Sequence, residues 1–294
     1  MKFELDLAAR IRDLAIIALA SDDTLFESLV LKGGNAISLF KKDTNNLSRA
    51  SYDLDYSIIP GDFSDLEDIK IRIEATLAQT FRENGFELTH YTFKVKPRKY
   101  NETTNHFWGG YNVTFKVIGA EQFKRYADDR DALIRFSIPT QPDASPTFEL
   151  DLSKHEEVTH MVEQTFEGYR IYVYTPLMII FEKLRAICQQ MKEYQAFVPS
   201  HPASPRSKDF YDIHLLITEE LGGIFDIEAE GNQELMAKIF AAKRVPLEFI
   251  QLIPNTHDYH KLTWEEVKAT VSVKEKIEDF AYYFNYVIET FRIK

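Results

Sequence analysis

From Tyr52 to Ile59 the chain reads YDLDYSII, an alternation of polar and apolar residues with carboxylates at Asp53 and Asp55. Alternation with period two is the pattern of a strand, in which residues i and i+2 point to the same side. Asp53 and Asp55 then share one face, and Leu54 and Tyr56 share the other, which faces a core. Aspartate is depleted in strands and is almost never buried unless paired. Two carboxylates about 6–7 Å apart at Cα repel each other unless a cation sits between them or one is protonated. The pair is therefore expected to raise the pKa of at least one member, and it demands a cleft beside the sheet.

The residues around this strand give the cleft a chemistry. Upstream, LKGG places Gly33 and Gly34 before NAISLF, which reads as a short helix beginning near Asn35. Glycines there let the backbone approach a phosphate, and the first N–H groups of a helix then face the anion. Downstream, TFELDLS puts Glu149 and Asp151 on one strand face and Phe148, Leu150 and Leu152 on the other. If that strand neighbours the first, Asp151 is a third carboxylate of the same cluster. Hard oxygen ligands suit Mg²⁺ together with substrate phosphate, with Mn²⁺ as a substitute. Taken singly, each feature has a plainer reading: an edge strand with one wet face for Asp-x-Asp, an ordinary turn for the glycine pair.

At 294 residues the chain can bury a large core, and 45% hydrophobic with 28% charged residues are the values of a globular protein. A net charge of -11 argues against bulk, non-specific duplex binding. Cys188 is the one cysteine, so no intramolecular disulfide forms and a reducing cytoplasm is expected. The first residues lack a signal peptide's apolar stretch, and no run of 18 apolar residues predicts a membrane span.

Apolar spacing predicts helices over LDLAARIRDLAIIALASDD, from Leu66 to Phe81, and from Pro176 onward behind a Thr175 cap. FELTHYTFKVK, YNVTFKVIG, ALIRFSI and TFELDLS read as strands, and KKDTNNLSRAS and FVPSHPASPRS as loops. Thr263 and Glu266 have the spacing of a capping box, and the aromatic run from Phe280 to Phe291 reads as a core-facing final helix. The expected organisation is an α/β region over residues 1–170 followed by a helical region over 171–294 that completes the cleft. Histidines 90, 106, 155 and 214 have no metal-ligand spacing, so no zinc site is expected. Walker, dinucleotide and nucleophile-elbow motifs are absent.

The run GGNAISLF…SRASYDLDYS, with Gly33, Gly34, Arg49, Ser51, Asp53 and Asp55, resembles the opening signature of polymerase-β-like nucleotidyltransferases. More narrowly, it resembles the AbiEii-type toxins of type IV toxin–antitoxin systems. Lys183 in IFEKLRA and the KDFYDI element with Lys208, Asp209 and Asp212 match two later landmarks of that family. Asn35 stands where a Ser or Thr is common. The resemblance implies an α+β fold with a small mixed sheet and a following helical region. It implies transfer of an NMP from an NTP to an RNA, tRNA 3′ ends among them, or to a protein. Asp53, Asp55, Lys183 and Asp209 would be catalytic. Gly33, Gly34, Asn35, Arg49, Ser51 and Asp212 would hold the nucleotide, and Asp53, Asp55 and Asp151 the metal. It also implies a bacterial origin and a cognate antitoxin.

Read physically, Lys183 lies beside an apolar helix stripe, so its ammonium either snorkels to water or meets a triphosphate. On the triphosphate reading, Lys183→Ala is expected to leave the fold intact but to weaken triphosphate handling. Asp209 and Asp212 also suit a helix start as capping acids. The basic run Lys94, Lys96, Arg98 and Lys99, next to Phe93 and Tyr100, suits either a solvated strand end or the backbone of a nucleic-acid acceptor. Two other classes stay open: a sugar-nucleotide glycosyltransferase, whose Asp-x-Asp also binds metal, and a non-catalytic interaction protein on the same fold.

Overall fold

Seven strands form one mixed sheet in the computed structural model. It describes residues 3–40, 51, 53–61, 63, 65–98, 102–141, 145–199, 201–271 and 276–293. Arg49, Lys99 and Tyr100 of the sequence-predicted residues lie outside these. The strands are β1 (Leu29–Lys32), β2 (Leu54–Ile58), β3 (Phe86–Lys96), β4 (Gly110–Gly119), β5 (Phe148–Ser153), β6 (Val162–Phe166) and β7 (Tyr169–Val173). Their order is β3-β4-β5-β2-β1-β7-β6, with β2/β5 and β1/β7 parallel and the other neighbours antiparallel.

The α/β region also holds helices α1 (Leu5–Ala20), α2 (Asp23–Ser28), α3 (Gly33–Phe40), α4 (Leu66–Glu83), α5 (Ala120–Tyr126) and α6 (Arg130–Arg135). The apolar stripe of α4, Ile69, Ile73, Leu77 and Phe81, is buried, and the helix packs against α1 and β3. Its start is set by Asp65, whose side chain accepts from the N–H groups of Glu67 and Asp68. From Pro176 the chain is helical: α7 (Pro176–Cys188), α8 (Ser207–Leu215), α9 (Asn232–Ala242), α10 (His257–Lys261), α11 (Trp264–Thr270) and α12 (Phe280–Thr290). Thr175 caps α7 through the N–H of Met178, and α7 packs against α8 and α9.

Two local expectations change, and one hairpin is new. ALIRFSI is not a strand: α6 covers its first half, because Asp129 accepts from the N–H of Ala132 and opens a helical turn. The Tyr126 and Phe136 rings, stacked at 4.6 Å between centroids, close that turn against α5. Thr263 precedes α11 but forms no capping box, since its hydroxyl is held by Ser207 Oγ at 2.8 Å. The hairpin β6–β7 carried no recognised signal. Its two-residue turn has positive φ at both Glu167 and Gly168, the backbone that tight hairpins use, without the Asn or Asp that usually marks it.

Candidate active site

The register of the sheet answers what Asp55 is doing in a strand. Lys32 of β1 pairs with Asp55 of β2, Asp55 with Asp151 of β5, Asp151 with Asn112 of β4, and Asn112 with Lys94 of β3. Residues in register share a face, so five strands present one continuous polar row. The rows beside it, Leu31, Tyr56, Leu152, Tyr111 and Val95 on one side and Leu54, Leu150, Val113 and Phe93 on the other, point to the opposite face and are apolar. The expected neighbour relation between the two acidic strands is therefore what the sheet contains.

This row borders a cavity of about 560 Å³, lined among others by Gly33, Gly34, Ser51, Asp53, Asp55, Asp151, Lys183 and Asp209. Asp53 is exposed just before β2, and its carbonyl oxygen accepts from the Asn35 side-chain amide at 2.6 Å. Asn35 thus spends its amide on fixing the acidic strand, and it is not among the cavity's lining residues. Gly33 has φ +68°, and a Cβ there would lie 2.5 Å from Asp55 Oδ2. Only glycine fits this position, for conformation and for space alike. Gly33 and Gly34 open α3, whose first-turn N–H groups have no partner within the helix.

Burial lifts the Asp55 pKa to about 6; Lys32 and Lys208 oppose the rise, and Asp151 and Glu182 add to it. The expected upward shift is present, but desolvation is its main cause, and the neighbouring acids that contribute are Asp151 and Glu182. Asp151 is engaged at Oδ1 by Lys96 Nζ at 2.7 Å and by Asn112 Nδ2 at 2.8 Å. Lys96 reaches it diagonally, because its partner in β4 is Gly110, which has no side chain in the way.

From the helical side, Lys183 of α7 is buried with its ammonium 3.0 Å from Asp209 Oδ1 and 2.7 Å from Asp212 Oδ2 of α8. This ammonium does not snorkel to water. Burial alone would raise the Asp209 pKa, but Lys183, Arg206 and Lys208 outweigh it and hold the group below the ordinary range. Asp212 is 1% exposed and stands behind Lys183. Lys208 lies between the two sides, acting electrostatically on both Asp55 and Asp209.

A second set of charges was missed from sequence. Glu156 receives Lys32 Nζ at 3.3 Å, Arg185 Nη1 at 2.7 Å and Lys243 Nζ at 3.2 Å, while Glu182 takes Lys32 at 2.6 Å. Burial opposes ionisation of Glu156, yet the three cations hold its pKa well below the carboxylate range. Lys243 is pushed down to about 8, first by burial and then by Arg185 and Lys32 against Glu156. One signal was visible: Lys32 ends the apolar run LVLK, and Arg185 sits in the apolar stripe of IFEKLRAIC, where an unpaired cation is costly.

Asp53, Asp55 and Asp151 all line the cavity, and their oxygen donors suit a hard divalent ion in type. Among the described residues, no three acidic, histidine or cysteine side chains form a ready-made ion cage. Nor is any described helix long and apolar enough to cross a membrane.

No curated protein matches the chain. Among solved structures, JHP933 from Helicobacter pylori is similar at 17% identity over 98% of this chain and 92% of that one, with a TM-score of 0.49. An antigenic nucleotidyltransferase-like protein from Paracoccidioides brasiliensis is similar at 14% identity over 89% and 94%, with a TM-score of 0.36. The family model of the AbiEii nucleotidyl transferase toxin of type IV toxin–antitoxin systems matches residues 16–285, nearly the whole chain. Neither the glycosyltransferase nor the silent-fold reading of Asp53 and Asp55 has comparable support. The chain belongs to the AbiEii nucleotidyltransferase toxin family.

Proposed function

We propose that the protein transfers an NMP from an NTP to an RNA or protein acceptor, with Mg²⁺ as the preferred ion and Mn²⁺ as a substitute. The observation that carries this reading is the desolvated carboxylate of Asp55 in a polar row that also contains Lys32 and Asp151, against a glycine that only glycine can be. An acceptor oxygen bonds to the α-phosphorus, the bond from that phosphorus to pyrophosphate breaks, and the acceptor's proton passes to a cavity carboxylate or to water.

Asp53 and Asp55 would hold the ion, with Asp151 joining them when Lys96 lets go. When bound, the ion supplies charge neutralisation for the phosphates and for the leaving pyrophosphate. The chain's own groups do the positioning. Gly33 and Gly34 bring backbone N–H groups to the phosphates. Lys208 adds positive charge between the two walls, and Ser51 offers a hydroxyl at the cavity rim. Lys183, neutralised by Asp209 and Asp212, fixes the α7–α8 wall and keeps Asp209 ionised. The antitoxin of such a system is the expected protein partner, and tRNA 3′ ends are among the acceptors to try.

The test is incubation with each labelled NTP and total cell RNA or lysate, with and without Mg²⁺, followed by identification of the labelled species. Label in one RNA or protein band that disappears with Asp55→Asn is the expected result. Label released as free nucleotide or sugar product with no labelled macromolecule would overturn the reading.

A further inference from the structure

The cavity has a wall that the carboxylate chemistry does not use. Trp108, just before β4, and His201, in the loop before α8, both line it, together with Gln189 at the end of α7. The His201 ring stands edge-on to Trp108 at 5.2 Å between centroids, with an interplanar angle of 76°. Neither ring nitrogen of His201 has a hydrogen-bond partner among the described residues, although both are sealed from solvent. Burial, aided by Arg206, lowers the pKa of this imidazole, so it stays neutral and can both donate and accept. Gln189 is fixed through its amide, which donates to the Tyr194 hydroxyl at 3.2 Å; that hydroxyl in turn donates to the Lys243 carbonyl at 2.8 Å. The Gln189 carbonyl oxygen accepts from none of the described residues.

We propose that Trp108, His201 and Gln189 form the pocket for the base of the incoming nucleoside triphosphate. Trp108 supplies the ring for stacking, and His201 and Gln189 supply edge recognition. This proposal rests on the nucleotidyl-transfer reading above. Trp108 precedes Asn112, whose side chain grips Asp151, by four residues, so their Cα atoms are at most about 14 Å apart. A ribose and its phosphates fill such a gap, with the phosphates toward Gly33, Gly34 and Lys208. A planar heteroaromatic ring is what an indole face and a neutral imidazole select together. Stacking of a base on an aromatic side chain is worth about tenfold in affinity.

The chain has two tryptophans, Trp108 and the buried Trp264, so a Trp264→Phe variant leaves Trp108 as the sole reporter. Each NTP and inorganic triphosphate are titrated with Mg²⁺ into that variant, with no acceptor present, following Trp108 fluorescence. Circular dichroism first confirms that the variant is folded, and calorimetry on the otherwise unaltered protein gives the same affinities without relying on it. NTPs are expected to quench Trp108 and inorganic triphosphate to leave it unchanged. By calorimetry, Trp108→Leu and His201→Phe should each weaken NTP binding about tenfold or more, leave triphosphate binding within twofold, and alter the preference among the four bases. Equal NTP affinity in both variants and the parent overturns the proposal. So does a rise in acceptor KM with unchanged NTP affinity, which would make the wall an acceptor site. If NTPs bind as predicted but no acceptor is ever labelled, the transferase reading fails and the base pocket stands.

Discussion

Asp55 carries a charge that the fold would be more stable without. In the folded chain its pKa is about 6, above an ordinary aspartate, so the folded state binds this proton more tightly than the unfolded one. Without divalent ions, its contribution to stability is full below about pH 4 and is lost as pH rises through about 6. The loss amounts to at most about 3 kcal/mol. Asp55→Asn should therefore melt higher than the parent at pH 7–8 in chelator, by several degrees, and match it near pH 4. Mg²⁺ should raise the melting temperature of the parent and not of the variant. A variant that melts far lower at every pH yet still transfers nucleotide would make Asp55 a structural partner of Lys32. Gly33 gives a second residue-scale prediction. Gly33→Ala must accept positive φ and displace the Asp55 carboxylate, so a loss of about 1–3 kcal/mol in urea melts is expected, with transfer falling further than stability.

Between elements, the buried ion pairs of α7 and α8 change what a lysine deletion means. Lys183→Ala leaves the Asp209 and Asp212 carboxylates buried beside each other, and about 3–5 kcal/mol of stability should go with it. The sequence reading, which kept the fold intact, did not foresee this. A double-mutant cycle is the check: Lys183→Met with Asp212→Leu should cost clearly less than the two singles added. Simple addition would show that the ammonium does not depend on these partners. The same elements show what a sequence can and cannot reveal. The α4 and α7 helices were legible because their apolar residues recur every three or four positions and their caps are local. That Asp53, Asp55 and Asp151 border one cavity was legible because a strand that alternates carboxylates with core residues has few uses. Glu156 and Lys243 were not, because their meaning lies in each other and they are far apart in the chain. The α6 segment failed for a different reason: its β-like composition is overruled by one capping aspartate, Asp129.

At the scale of the molecule, a chain of net charge -11 lines its cavity with seven basic and six acidic side chains, so positive charge is gathered at the proposed site of the triphosphate. Exposed Lys94 near the end of β3 and exposed Arg98 just beyond it extend that charge, while Lys96 is tied to Asp151. Reversing Lys94 and Arg98 together should weaken binding of an RNA acceptor severalfold at low salt and little at high salt. Equal RNA binding by parent and variant at low salt would remove β3 from the acceptor path. The polar row has one more consequence, in time. Its two central carboxylates pair across almost a hundred residues of sequence, and the cavity is not closed until Lys243 has been made. At about 5–20 residues per second, a ribosome holds an unfinished site for on the order of ten seconds or more after Asp55 emerges. Nascent chains stalled before Lys243 should therefore transfer nothing, so the cell that makes this enzyme is exposed to it only once synthesis is nearly complete.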